Sequence, residues 1–198
     1  MAKELATPEL YCLAVTLRDS NPPIWRMIVV SSDTTLANLH VILQATMGWE
    51  NAHMHEFVIA KQRYGILHTG WTWFGPKDEI RVQLGQVVRK PRTSFLYEYD
   101  FGDQWQHDVE FLNTVDPGLA HTNLSCLNGQ GKCPPEDCGG IDAYQDMLCI
   151  LDNPQHPDYP DVRQYLGKRF NPAAFSKSNV NARLKNCLRT GFSASALF

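Results

Sequence analysis

Residues 11–30 read YCLAVTLRDSNPPIWRMIVV, and this stretch decides the fold class. Tyr11, Leu13, Val15 and Leu17 alternate with smaller or polar residues, the period-two pattern of a half-buried strand running to Arg18. Asp19-Ser20-Asn21-Pro22-Pro23 supplies a turn, and Ile24 to Val30 is rich in β-branched residues. Together they predict an antiparallel hairpin. Next, Asp33, Thr34 or Thr35 caps a helix from Leu36 to Met47, with Leu36, Leu39, Leu43 and Met47 as its buried stripe and Gly48 as its stop. A third strand follows from Met54 to Ala60, entered through His53, and alternation puts His53, His55, Phe57 and Ile59 on one face.

Further along, Glu79 to Val88 reads as a strand plus a short helical turn. Ser94 to Leu112 forms a second hairpin, with Phe95, Tyr97 and Tyr99 alternating on one strand and Trp105, His107, Val109 and Phe111 on the other. Asp100-Phe101-Gly102-Asp103 is its turn. Residues 113–140 read as one long loop that cysteines and prolines keep ordered. Helices are expected over Ile141–Leu151, near Asp161–Leu166, after Pro172 with Asn171 as cap, and over Ser178–Leu188. The expected fold is therefore α+β: a single domain over residues 1–190 with a β-grasp-like ββαβ N-terminal core, a second β-hairpin and C-terminal helices. Residues 191–198 are expected to form a frayed tail.

The 198 residues are 43% hydrophobic and 20% charged, enough to bury a core. No apolar run approaches the roughly 18 residues of a membrane span, and the N-terminus lacks an apolar signal region. A cytoplasmic protein with no membrane partner is the expectation. Six cysteines are too few for a disulfide scaffold of this length; Cys12, Cys149 and Cys187 read as isolated thiols. The net charge of −3 is unevenly distributed. Ser94 to Asp161 carries 13 acidic residues and one basic residue, Lys132, whereas Val162 onward carries seven basic residues and no acid. Either the basic segment folds over the acidic middle and neutralises it, the favoured reading, or it contacts nucleic acid.

Reactive side chains concentrate in three segments: His53 to Phe57, Tyr97 to His107, and Cys126 to Gly140, which reads CLNGQGKCPPEDCGG. Cys126, Cys133 and Cys138, with His55 or His107, are candidate ligands for zinc or another divalent metal. Asp100, Asp103, His107, Glu136 and Asp137 are candidate catalytic groups, able with His53 and His55 to hold a cation or to form a carboxylate–imidazole base. If the strand begins at Asp103, alternation makes Asp103 and His107 neighbours. Ordinary structure competes with each reading: Asp before Gly caps a turn, and buried histidines join polar core networks. Trp49, Trp71, Trp73, Phe74, Phe101 and Trp105 are read mostly as core, with Trp71 and Trp73 the candidates for recognition. No nucleotide-binding or hydrolase motif of the common kinds is present.

The runs YDFGDQWQH at 99–107 and PPEDCGG at 134–140, with Pro22-Pro23-Ile24-Trp25-Arg26, Leu39-His40, Gly48-Trp49 and Phe170-Asn171-Pro172 followed by Asn181, resemble the plasmid pRiA4b ORF-3-like family. That family is also described as insertion-element passenger TnpR-like proteins. The likeness runs from about Tyr11 to Leu184, with Asn171 standing where the family has aspartate. It implies a compact α+β fold and an association with mobile elements, and no reaction; a serine-recombinase signature is absent. The expected function is a binding or adaptor domain built around a His/Asp/Cys polar centre, with a protein or small molecule as partner. A metal-assisted hydrolase using the same cluster is one alternative, and a nucleic-acid accessory protein using the basic C-terminal segment is another.

Overall fold

A computed structural model describes residues 8–67, 75–118 and 122–190. Strands β1 (Leu10–Leu17) and β2 (Ile24–Ser31) lead into helix α1 (Leu36–Met47), then β3 (His55–Ile59), β4 (Gln62–Gly65) and the two-residue β5 (Lys77–Asp78). A single turn of helix, α2 (Leu84–Val87), precedes β6 (Thr93–Tyr99), β7 (Trp105–Val115) and β8 (Ser125–Gln130). Helices α3 (Gly140–Leu151), α4 (Tyr159–Leu166) and α5 (Lys177–Arg189) complete the described chain. The fold is α+β, as expected. Among the described residues the strands form one eight-stranded sheet in the order β5-β4-β3-β6-β7-β1-β2-β8, antiparallel throughout except for β4 with β5.

The opening ββαβ order stands, and the β6–β7 hairpin inserts between β3 and β1. Its register aligns side chains in rows across the sheet. His55 pairs with Tyr99 and Tyr99 with Trp105; one row over, Phe57, Tyr97, His107 and Leu17 are successive partners. All seven are buried on one face, and α1 lies over it. The opposite face carries partly exposed Trp25, Met27, Glu98 and Gln106 and the exposed Asp108, the two-sided pattern of an antiparallel sheet with one solvated face. Helix α1 begins where Thr35 accepts from the Asn38 amide at 3.2 Å and ends at Gly48, whose φ of 100° an L side chain would resist. No helix among the described residues is long and apolar enough to cross a membrane.

Two expectations are corrected. Residues 113–140 are not one loop: β7 continues to Val115, and Ser125–Gln130 forms β8 against the free edge of β2. The outer side of β8 is closed by the Asn181 amide of α5, which accepts from the Cys126 N–H at 2.8 Å and donates to the Cys126 carbonyl at 3.0 Å. A side chain there completes the pairing a further strand would have made. No helix starts at Pro172; the next one, α5, begins at Lys177. The Asn171 side chain instead accepts from the Ala173 amide at 3.0 Å, and the Pro172 carbonyl accepts from Lys132 N–H at 2.8 Å, so the backbone closes as a turn. The expected tail at 191–198, and Trp71, Trp73 and Phe74, lie outside the described residues.

Candidate functional site

The three reactive segments meet at one end of the sheet, beneath the C-terminus of α1. Trp49, just past the Gly48 cap, donates through its indole N–H to the Pro134 carbonyl at 3.1 Å. Its ring stacks on Tyr99 at 5.3 Å and meets His107 edge-on at 5.2 Å, so one indole ties the helix end to the hairpin and to the PPEDCGG segment. The Tyr99 hydroxyl donates to Glu136 Oε1 at 2.7 Å and accepts from the amides of Ala52 and His53 at 2.9 and 3.3 Å. Glu136 Oε1 also accepts from the Glu50 amide at 2.9 Å. Burial, and then the Glu136 carboxylate, push the Tyr99 phenol above its ordinary range, so it remains a donor.

Within this frame His53, Asp100 and Asp137 converge. Asp100, in the left-handed region, uses Oδ1 to accept from the amides of Gly102 and Asp103 at 2.9 and 3.3 Å. Its Oδ2 lies 3.7 Å from His53 Nε2, and Asp137 Oδ1 lies 3.1 Å from the same nitrogen. Ligand atoms of these three residues all fall within 4.8 Å of one another, and among the described residues this is the one group of three or more His, Cys, Asp or Glu side chains that does so. His53 Nε2 is shielded from solvent yet aligned for no hydrogen bond. Two ligands each about 2.1 Å from a small cation sit roughly 3.0–3.5 Å apart, and the two spacings to His53, 3.1 and 3.7 Å, are close to that. The Asp137 side chain is 74% exposed, so the group opens to water on that side.

The Asp137 segment is held against the hairpin turn by its glycines. Asp103 Oδ2 accepts from the Gly139 amide at 3.1 Å. A Cβ on Gly140, at φ 81°, would stand 2.6 Å from the Asp103 carbonyl oxygen, so this approach requires glycine.

Other expected site residues are placed elsewhere. The expected Asp103–His107 neighbourhood does not form. The strand starts at Trp105, and Asp103 belongs to a turn closed by Gln104 N–H to Asp100 O at 2.6 Å. His107 is 0% exposed, with Nδ1 3.3 Å from the Tyr97 carbonyl and Nε2 unpartnered. Burial lowers its pKa to about 4. His53 does not share the face of His55 either, because β3 begins at His55 and His53 sits in the preceding bend.

The cysteine set does not assemble. Strand β8 carries Cys126 into the sheet opposite Ile28, with its thiol 3.4 Å from Asn128 O. Cys133 packs 3.8 Å from Met47 Sδ and 3.4 Å from Arg26 Nη2, while Cys138 is buried near Asp103. Burial raises all three thiols, Cys138 to about 11, and Asp103 adds to the rise there.

His55 and His107, the histidines expected to complete that set, are both buried apart from it. The His55 ring nitrogen Nε2 lies 2.9 Å from Glu79 Oε2, and the ring stacks on His40 at 3.4 Å. His40 in turn contacts the Tyr97 hydroxyl at 2.8 Å, which also accepts from Gln44 Nε2 at 2.9 Å. Burial first, and the His55 charge second, hold His40 far below its usual pKa. Gln44 and Glu79 lie outside the reactive segments and motifs of the sequence. His40 carried a signal, standing at i+4 from Leu36 and i−3 from Leu43 on the buried stripe; Glu79 reaches His55 only through tertiary structure.

The basic C-terminal segment does not neutralise the acidic middle through direct pairs. None of Arg163, Lys168, Arg169, Lys177, Arg183, Lys185 and Arg189 forms an ion pair with Asp or Glu among the described residues. Arg163 Nη1 donates to Phe170 O at 3.3 Å and Arg183 Nε to Ala45 O at 2.7 Å.

Fold and site define a class: an α+β domain whose sheet carries helices on one face and a composite His/Asp corner at one end. The chain belongs to the plasmid pRiA4b ORF-3-like protein family, whose sequence profile matches residues 9–179. It is 36% identical over 171 residues to the uncharacterized protein y4hQ of Sinorhizobium fredii (strain NBRC 101917 / NGR234), covering 85% of this chain and 87% of that one. The crystal structure of MM3350, a protein of unknown function from Methanosarcina mazei Go1, superposes with a TM-score of 0.76 at 30% identity, over 88% of this chain and 98% of that one.

Proposed function

We propose that this protein is a binding domain associated with mobile elements, whose polar centre takes one divalent cation between His53, Asp100 and Asp137. The supporting observation is His53 Nε2, a shielded nitrogen with no hydrogen bond that faces oxygens of two carboxylates at 3.1 and 3.7 Å. One imidazole and two carboxylates suit zinc, manganese or iron(II) better than calcium, which prefers an all-oxygen shell. The plasmid in the family's description supports the mobile-element association.

Calorimetric titration with zinc and manganese tests the cation. One equivalent should bind to wild type, and Asp137→Asn, at an exposed position, should weaken binding at least tenfold without changing the melting temperature of the metal-free protein. Equal affinity in the two proteins would sink the reading.

The exposed side of Asp137 favours one second reading. A cation with three protein ligands keeps positions open for water, as metal-assisted hydrolysis requires. Screening metal-loaded protein against phosphoesters, esters and amides, with Asp137→Asn as control, tests it; activity retained in the variant would mark a contaminant. A nucleic-acid role is less favoured, because the 13 acidic residues from Ser94 to Asp161 carry the wrong sign for phosphate contacts.

A further inference from the structure

A cavity of about 490 Å³ lies between the end of α1, residues 132–135 and the C-terminal segment from Tyr165 to Arg183. That volume falls within the ordinary range for small-molecule sites. Three cations line it (Arg26, Lys132 and Arg183), and no Asp or Glu among the described residues does, in a protein whose net charge is −3. Apolar surface comes from Met47, Leu166, Phe170, Phe175 and Val180.

The cations differ in what they already bond. Arg26 is 3% exposed and structural: its guanidinium donates to the carbonyls of Trp25, Gln130 and Gly131 at 2.8, 2.6 and 2.8 Å, under the Phe175 ring at 4.8 Å. Arg183 is bonded through Nε alone, to Ala45 O at the C-terminal end of α1. Its two terminal nitrogens have no hydrogen-bond or ion-pair partner among the described residues, so four of its five N–H donors remain open. Lys132 Nζ lies 4.7 Å over the Phe170 ring, again with no carboxylate partner among the described residues.

A purely structural explanation exists: Arg26 and Arg183 complement the negative end of α1, which has no basic residue in its own last turn. It accounts for Arg183 Nε and leaves the planar fork beyond it unused. It also leaves unexplained why a half-buried cation, which burial makes less basic, has no counter-ion among the described residues. Helix α5 adds to the same field, since its N-terminal turn, with Asn179 and Val180 in the cavity wall, contains no acid.

We propose that this cavity binds a small organic anion, its carboxylate or phosphate received by the Arg183 fork beside Lys132 and its apolar body lodged against Phe170 and Phe175. Planar two-point recognition is what arginine offers such groups. The site uses none of the residues of the His53 centre, so either can fail without the other.

The test is titration of the full-length protein, followed by amide chemical shifts, with benzoate, indole-3-carboxylate, adenosine monophosphate and inorganic phosphate. Benzamide and indole-3-carboxamide are the neutral counterparts. At least one aromatic anion should bind with a dissociation constant below about 1 mM, and its neutral counterpart at least tenfold more weakly. Arg183→Gln should cost tenfold or more, and Asp137→Asn should change nothing. Should Arg183→Gln fail to fold, Lys132→Gln, at an exposed position, carries the same test with an expected loss of threefold or more. Saturable binding of an aromatic anion of either source, carboxylate or phosphate, supports the proposal, and binding of inorganic phosphate alone would overturn it. No binding by any probe, binding equal for neutral counterparts, or binding unaffected in the cavity variants would overturn it.

Discussion

Lowering the pH from 7 to 5 should destabilise this protein through His107 by an amount that can be worked out. The ring is fully buried, and its Nδ1 donates to the Tyr97 carbonyl. A second proton would sit on Nε2, which has no acceptor, so the charged form is disfavoured by desolvation and by an unmade hydrogen bond. The folded pKa falls to about 4 from an ordinary 6.5. Between those values the unfolded chain binds a proton that the folded chain does not. Stability is therefore intact above pH 6.5 and is lost as the pH falls towards 4. At pH 5 the loss from this one residue is about 2 kcal/mol, approaching 3 kcal/mol at pH 4. Urea unfolding of wild type and His107→Leu at pH 7 and pH 5 measures it. The variant starts lower at pH 7, having lost the bond to Tyr97, but its further loss on acidification should be about 2 kcal/mol smaller. Parallel pH profiles would refute the reasoning.

Three further substitutions probe the architecture. Gly140→Ala places a Cβ 2.6 Å from the Asp103 carbonyl at a positive φ, and should cost about 2–4 kcal/mol by chemical unfolding. Arg26→Leu abandons the carbonyls of Gln130 and Gly131, and should cost about 3 kcal/mol or more, read as a fall in the denaturation midpoint. Tyr99→Phe removes the donor to Glu136 and should cost about 1–2 kcal/mol, with cation affinity weakened as the Asp137 segment loosens. An unchanged midpoint would contradict the close approach at Gly140 or the contact that Arg26→Leu or Tyr99→Phe removes.

Local pattern made much of this fold legible. The β1–β2 hairpin and the bounds of α1 follow from period-two and helical spacing plus a good cap at each end, signals carried within a few residues. Strand β8 was not legible, because SCLNGQ has no alternation; it is a strand because β2 offers an open edge and Asn181 closes the other side. The turn after Pro172 departs from its local pattern for a related reason, since Asn171-Pro172 suits a helix start but the Pro172 carbonyl is taken by Lys132. In the site, the meeting of three segments could be read from where the reactive residues cluster. Which of them face each other could not. A shift of one or two residues in strand start sends His53 and Asp103 out of the sheet pattern, and the thiols part company because a strand runs through their supposed loop.

The central claim is that His53, Asp100 and Asp137, rather than the cysteines, hold a cation. Crystals soaked in zinc and measured on either side of its absorption edge test this most directly. The predicted result is an anomalous peak about 2.0–2.2 Å from His53 Nε2 and from one oxygen each of Asp100 and Asp137. A peak at Cys126, Cys133 or Cys138 instead, or none at His53, would contradict it.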